Sequence, residues 1–482
     1  MSVGRCPVRD DFDLVVSGAL VVGEHDIEVA DVGVTGERIA ALAAPGTLRG
    51  TRIVEASPGA VLVPGGIDTH THIAWPIAEG VRSLDDFASA TRAAAVSGTT
   101  TVIDFVPASG GSLLAAARER MAEAASSLID YTFHPVIARI TPDRLREIPA
   151  LVDEGLASFK IYTTYDDRLD DGEIRAVMTT VAEAGGLAGF HAENHAILEH
   201  ARSAVLSDSA AAIDRFPRSR PGSAESAAIG LVTHFARELG APVYVYHVSG
   251  GEALAAIEAA GESGVLVQAE TCTHYLVLDD SVYRRPDGWK YVITPPVRDA
   301  AAQDRLWDAL RAGVLGSVAS DHCAYGLEHK LPGAADFTVL PPGAPGLDAR
   351  IPLLWDHAVT RGRLGLRGFV EVSATGPART FGMYPRKGVI RVGADADLVL
   401  WNPAREWTWP AFEAGWGSDY EPYEGMTGAG LPELTISRGR VVARDGRFTG
   451  TEGAGRFVPQ RIDVRQWPRR QAARGAGRRP SV

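Results

Sequence analysis

Ala60-Val61-Leu62-Val63-Pro64-Gly65-Gly66-Ile67-Asp68-Thr69-His70-Thr71-His72 is the stretch from which the fold can be read. Four apolar residues in a row, without polar alternation, fit a strand buried on both faces, as in parallel sheets. Pro64-Gly65-Gly66 then makes a tight, non-helical exit. His70 and His72 follow at once. In extended chain, residues two apart point the same way, so the pair can share one cation; two surface histidines in a loop is the other reading.

The same buried-strand texture recurs seven times downstream, at 101–105, 131–134, 157–161, 189–191, 243–247, 265–268 and 317–321. Between these runs lie Ala-rich segments of helical length, at 85–96, 113–126, 143–152, 173–184, 225–239, 252–262 and 304–312. Strictly alternating strands and helices predict a parallel sheet with crossover helices, and eight strands close a (β/α)₈ barrel, here over 61–390. Both chain ends instead show short alternating strands with glycine turns. Residues 1–60 and 391–460 are therefore expected to form one small β-sandwich. From 461 to 482 the chain carries seven Arg and one Asp among Gly and Pro, which predicts a solvated tail or an arm gripping another subunit.

A chain of 482 residues, 45% hydrophobic and 22% charged, has ample material for a large core. Its formal charge of −12 disfavours a polyanionic partner, so a small-molecule substrate is expected and nucleic acid is not. Only Cys6, Cys272 and Cys323 occur, too few and too scattered for a disulfide framework. Neither a signal-peptide core in the first residues nor a membrane-length apolar run is visible, which predicts a cytoplasmic protein.

Barrel enzymes carry their chemistry at the carboxyl ends of the strands. His70 and His72 follow the first expected strand, Lys160 closes the fourth, His191 the fifth, His247 the sixth and Asp321 the eighth. Lys160, between Phe159 and Ile161, cannot stay a buried free ammonium cheaply; it must be exposed, paired or chemically changed. A desolvated amine can take up carbon dioxide as a carbamate, whose two oxygens can bridge two cations. A lone strand-end histidine is often a hydrogen-bonded core residue, but His191 and His247 on neighbouring strands point to ligation. Asp321 can hold a metal and accept a proton from water, or form a salt bridge within the barrel. His25, His200, His234 and His357 lie off this face and receive no role.

These residues resemble the amidohydrolases of the dihydropyrimidinase and hydantoinase branch, over nearly the whole chain. The likeness rests on Pro64-Gly65-Gly66-Ile67-Asp68-Thr69-His70-Thr71-His72, on the Gly-Thr-Thr-Thr-Val-Ile-Asp-Phe of 98–105, and on Ser158-Phe159-Lys160-Ile161-Tyr162. It continues in His191-Ala192-Glu193-Asn194, His247-Val248-Ser249, Ser320-Asp321-His322-Cys323 and the Phe-Gly-Met-Tyr-Pro-Arg-Lys-Gly of 381–388. The resemblance implies two divalent metal ions, usually Zn²⁺, one held by His70, His72 and Asp321, the other by His191 and His247, with N6-carboxylated Lys160 bridging both. It implies ring opening of a hydantoin or dihydropyrimidine to an N-carbamoyl amino acid. A hydroxide shared by the metals attacks the amide carbonyl, Asp321 acts as general base and acid, and Tyr165 steadies the oxyanion. Substrate contacts are expected at Tyr165, Thr294 and Pro342. Thr294 stands where similar enzymes often have serine and Pro342 where they often have asparagine; proline offers only its carbonyl. Homotetramer formation is a further implication. Allantoinase-like or dihydroorotase-like activity, and a non-catalytic scaffold, are the alternatives.

Overall fold

The computed structural model describes residues 11–78, 81–108, 110–208, 211–412 and 418–467. Eight parallel strands form the centre. β1 (Gly66–Thr71), β2 (Thr99–Val106) and β3 (Asp130–Pro135) make one sheet. β4 (Ser158–Tyr162), β5 (Leu187–His191), β6 (Val243–Val245), β7 (Val267–Cys272) and β8 (Ser317–Ala319) make the other. Isolated parallel bridges join the two sheets at both edges, Val136 with Lys160 and Thr71 with His322, and complete the (β/α)₈ barrel.

The outer helices begin where capping chemistry allows. Asp86 caps α1 (Phe87–Val96) and Asp170 caps α4 (Asp171–Glu183), each in a reciprocal capping box. α2 (Leu113–Glu123) starts from Ser112, and α3 (Pro142–Asp153) from Thr141 with proline in its first turn. α5 (Gly222–Leu239) ends at left-handed Gly240. α6 (Gly251–Glu262) follows β6 and α7 (Ala300–Arg311) follows β7, and further helical segments between Arg350 and Thr380 follow β8.

The expected first barrel strand is corrected by the structure. Val61–Pro64 belongs to the sheet of the chain ends, antiparallel to Leu398–Thr408 and parallel to Phe12–Val22. An unbroken apolar run suits a strand covered on both faces, and it says nothing about which sheet supplies the cover. The barrel strand is instead the polar-looking Gly66–Thr71, with all six residues buried. It tolerates burial because its polar groups are paired: Asp68 with Arg350 at 3.2 Å, Thr69 donating to Glu270 at 2.5 Å, Thr71 to Asp104 at 2.9 Å. Gly65 lets the chain cross from one sheet to the other, since a Cβ there would sit 2.1 Å from Thr100 Oγ1. The seventh strand likewise runs over Val267–Cys272, further along than 265–268, which brings Glu270 into the barrel.

Strands from both chain ends form one nine-stranded sheet around Val61–Pro64. Its core includes Leu14, Val16, Val32, Leu62, Leu398 and Ile436. Buried Lys387 fastens this sheet to the barrel, donating to Asp130 at the start of β3 and to Asp397, both at 2.5 Å. The expected tail is packed at its beginning: Arg461 bonds Gly382 through its N–H, and Trp467 is buried with Phe381 and Met383. Residues 468–482, and Cys6, lie outside the described residues. Among the described residues no helix is long and apolar enough to cross a membrane.

Candidate metal centre

A cavity of about 240 Å³ opens at the carboxyl mouth of the barrel. His70, His72, Lys160, Tyr165, His191, His247, Thr294, Asp321 and Pro342 all line it, together with Trp75, Tyr162, Asp167, Cys323, Tyr325 and Gly343. His70 sits in β1, Lys160 in β4 and His191 at the end of β5, while His247 and Asp321 each follow a strand by two residues. His247, Asp321 and Tyr165 have positive φ, at 38°, 51° and 69°. Left-handed backbone just past a strand swings the next side chain off the strand line and over the mouth.

The groups are close. Asp321 Oδ1 lies 3.1 Å from His70 Nε2 and 3.3 Å from His72 Nε2, and the two Nε2 atoms are 3.2 Å apart. Across the cavity the His191 and His247 rings have centroids 4.5 Å apart. Burial pushes His72 and His191 down to about 4 and His247 well below its ordinary value, so these imidazoles are neutral with lone pairs free for a cation. Burial also acts to raise Asp321, but the adjoining His70 and His72 overcome it and hold the carboxyl well below the usual range. Lys160 is 1% exposed, its Nζ 3.9 Å from the Tyr246 ring centroid and 4.9 Å from that of Phe105. Desolvation brings its amine down to about 8.

The amidohydrolase family profile matches residues 61–442. The chain belongs to the amidohydrolase family. It is 37% identical over 452 residues to the D-hydantoinase of Geobacillus stearothermophilus, covering 92% of this chain and 96% of that one. It is 39% identical over 408 residues to a D-phenylhydantoinase of Escherichia coli O1:K1, covering 83% and 88%. The crystal structure of the dihydropyrimidinase from Brevibacillus agri NCHU1002 superposes with a TM-score of 0.89 at 35% identity, covering 93% and 99%. These relatives fall in the branch expected from the motifs.

Amidohydrolase membership brings a divalent metal centre, and the donor set fits one. One ligand atom from each of His70, His72 and Asp321 lies within 4.8 Å of the others. Neutral imidazole and carboxylate suit zinc and similar borderline cations. The supporting residues reinforce the fit. Glu270, fully buried, accepts from His70 Nδ1 at 2.6 Å, which leaves Nε2 for a cation. Glu193 accepts from His191 Nε2 at 2.8 Å, which leaves Nδ1. Burial acts to raise Glu193, but Arg220 and His191 hold it down at about 2. Arg220 Nη2 also donates to the Tyr165 hydroxyl at 3.1 Å, and that hydroxyl donates to Thr294 Oγ1 at 2.7 Å.

Glu193, Arg220 and Glu270 are functional neighbours that the sequence reading above leaves without a role. Glu193 could have been found, because a carboxylate two residues from a strand-end histidine can reach its outer nitrogen. Glu270 needed the correct strand span. Arg220 gives no local signal: it lies 27 residues from Glu193 and 55 from Tyr165 along the chain.

Proposed function

We propose that this amidohydrolase opens the ring of a hydantoin or dihydropyrimidine, giving an N-carbamoyl amino acid. Water adds across a ring amide bond, so that the carbonyl carbon leaves as a carboxylate and the nitrogen remains on the carbamoyl group. The observation that carries this reading is the convergence of four imidazoles, Lys160 and Asp321 on a cavity also lined by a phenol. The similarity to D-hydantoinases over almost the full chain supports the ring chemistry.

His70, His72 and Asp321 would hold one zinc ion, His191 and His247 a second, with Lys160 as a carbamate between them. Bound metals supply Lewis-acid polarisation of the carbonyl and a nucleophile formed readily at neutral pH. The protein's part is then proton transfer and placement. Asp321 takes the proton of the attacking water and returns it to the departing nitrogen. Tyr165, whose burial pushes its phenol up to about 12, stays protonated and donates to the developing oxyanion. Thr294 and Pro342 flank the ring, Pro342 through its carbonyl alone. A cytoplasmic homotetramer completes the reading.

The test is a spectrophotometric screen of the zinc-loaded protein against dihydrouracil, hydantoin, 5-substituted hydantoins, allantoin and dihydroorotate. Ring opening of a hydantoin or of dihydrouracil is the expected result. Turnover of allantoin or dihydroorotate alone, or of none of them, overturns the assignment.

A further inference from the structure

Arg220 ties together two parts of the proposed machinery, the Tyr165 phenol and the Glu193–His191 pair, whose rings also meet at a centroid distance of 5.0 Å. Its Nε donates to Glu193 Oε1 at 3.1 Å and its Nη2 donates to both Glu193 Oε2 and the Tyr165 hydroxyl, the last at 3.1 Å. Its own backbone is fixed from behind, since its carbonyl accepts from Arg298 Nη1 at 2.6 Å and Arg298 is paired in turn with buried Glu225. The side chain is 14% exposed. A planar guanidinium can satisfy a carboxylate with one edge and still direct an N–H at a third acceptor from a fixed fork, whereas an ammonium sends all its donors from one nitrogen on a flexible stem.

From this geometry we infer that Arg220 is a positioning residue for ring opening, holding the Tyr165 phenol and the Glu193–His191 pair in one frame. The inference rests on the reading of Tyr165 as oxyanion donor. The phenol oxygen accepts from Arg220 and donates to Thr294, so both its accepting and its donating directions are set before a substrate arrives. When a carbonyl oxygen takes the place of Thr294 Oγ1 as acceptor, the hydroxyl proton needs only a small rotation to reach it. Accepting from a cation also polarises the O–H and makes it the stronger donor where negative charge develops. On the other edge, Arg220 holds the Glu193 carboxylate in place beside His191, and the hydrogen bond between those two fixes which ring nitrogen faces the cavity.

The experiment is a double-mutant cycle of R220K, Y165F and R220K/Y165F in the zinc-loaded enzyme, with hydantoin as substrate. Lysine retains the charge beside Glu193 and so avoids an uncompensated buried carboxylate. Its shorter, flexible stem does not hold the phenol in a fixed direction. Y165F should lower kcat by roughly 10²–10³-fold. R220K should lower kcat by roughly tenfold or more with little change in KM, because the misplacement is felt in the transition state. In the Y165F background R220K should cost less than about twofold, since the group it positions is gone. Zinc content after dialysis is the readout besides turnover, and R220K should match the wild type. Wild-type kcat in R220K, an additive cycle, or zinc loss in R220K would each overturn the positioning role. An unimpaired Y165F would overturn the role of Tyr165 and this inference together, whereas an impaired Y165F with an additive cycle would overturn this inference alone.

Discussion

Replacing Glu270 separates the charge it supplies from the space it fills. The carboxylate accepts four hydrogen bonds, from His70 Nδ1 at 2.6 Å and the His247 N–H at 3.4 Å on one oxygen, and from Thr69 Oγ1 at 2.5 Å and the Tyr244 hydroxyl at 2.8 Å on the other. In Glu270→Gln the amide oxygen can keep the two nitrogen donors while its NH₂ faces the hydroxyls, which can turn to accept; Tyr244 can donate to Ser317 Oγ instead, 2.9 Å away. The fold should therefore lose only about 1–2 kcal/mol, while the loss of charge behind His70 weakens metal binding by roughly 10–100-fold. Glu270→Leu strands two nitrogen donors and at least one hydroxyl at about 1–3 kcal/mol each, which sums to about 3–9 kcal/mol and is a large part of a typical domain's stability. Urea unfolding with and without chelator measures the first quantity, and zinc competition against a chromogenic chelator the second. Wild-type zinc affinity in Glu270→Gln, or equal stability of the two variants, would refute the reasoning.

Lys160→Ala should reduce turnover to background, with partial recovery on adding acetate or propionate; full activity without additive would remove the carbamate from the mechanism. His357 stacks on Trp307, and burial lowers its imidazole to about 4. The unfolded chain thus binds this proton first, and stability falls as pH drops from 6.5 towards 4. His357→Gln should lessen the difference in unfolding free energy between pH 7 and pH 4.5 by about 2 kcal/mol, after allowance for partial exposure, as read from urea midpoints. An unchanged difference would place the strain of acid elsewhere. Gly382 has φ +67°, and a Cβ there would lie 1.9 Å from the Arg461 carbonyl oxygen. Gly382→Ala should cost about 2–4 kcal/mol by thermal unfolding, against about 1 kcal/mol for Gly185→Ala, whose φ is +76° but whose Cβ meets nothing within 4 Å.

Burial that needs no partner could be read directly from the chain. Thr99–Val106, Leu187–His191 and Val243–Val245 are strands because their apolar side chains gain from leaving water whatever lies opposite, and the helices between them announce their starts with Asp86, Ser112, Thr141 and Asp170. Gly66–Thr71 is buried for a different reason. Asp68, Thr69 and Thr71 enter the interior only because Arg350, Glu270 and Asp104 meet them there, and those partners lie 282, 201 and 33 residues further along. No local pattern encodes such pairing.

The same distinction runs through the site. Imidazoles, an amine and a carboxylate in or just past the barrel strands can be recognised because the carboxyl ends of those strands meet at one mouth. Their orientation depends on groups set behind the cavity lining: Glu270 behind His70, Glu193 behind His191, Arg220 behind both Glu193 and Tyr165. The backbone adds a further element. Tyr165, His247 and Asp321 occupy the left-handed region without being glycine, at a cost of about 1–3 kcal/mol each. Asp and His tolerate that region better than most residues, whereas Tyr165 has no such excuse. Its carbonyl accepts from Arg168 Nη1 at 2.7 Å, and its hydroxyl donates to Thr294 and accepts from Arg220, so both ends of the residue are tied. A glycine would relieve the backbone there and lose the phenol, so the strained conformation stands where the proposed ring opening calls for an aromatic hydroxyl aimed across the barrel mouth.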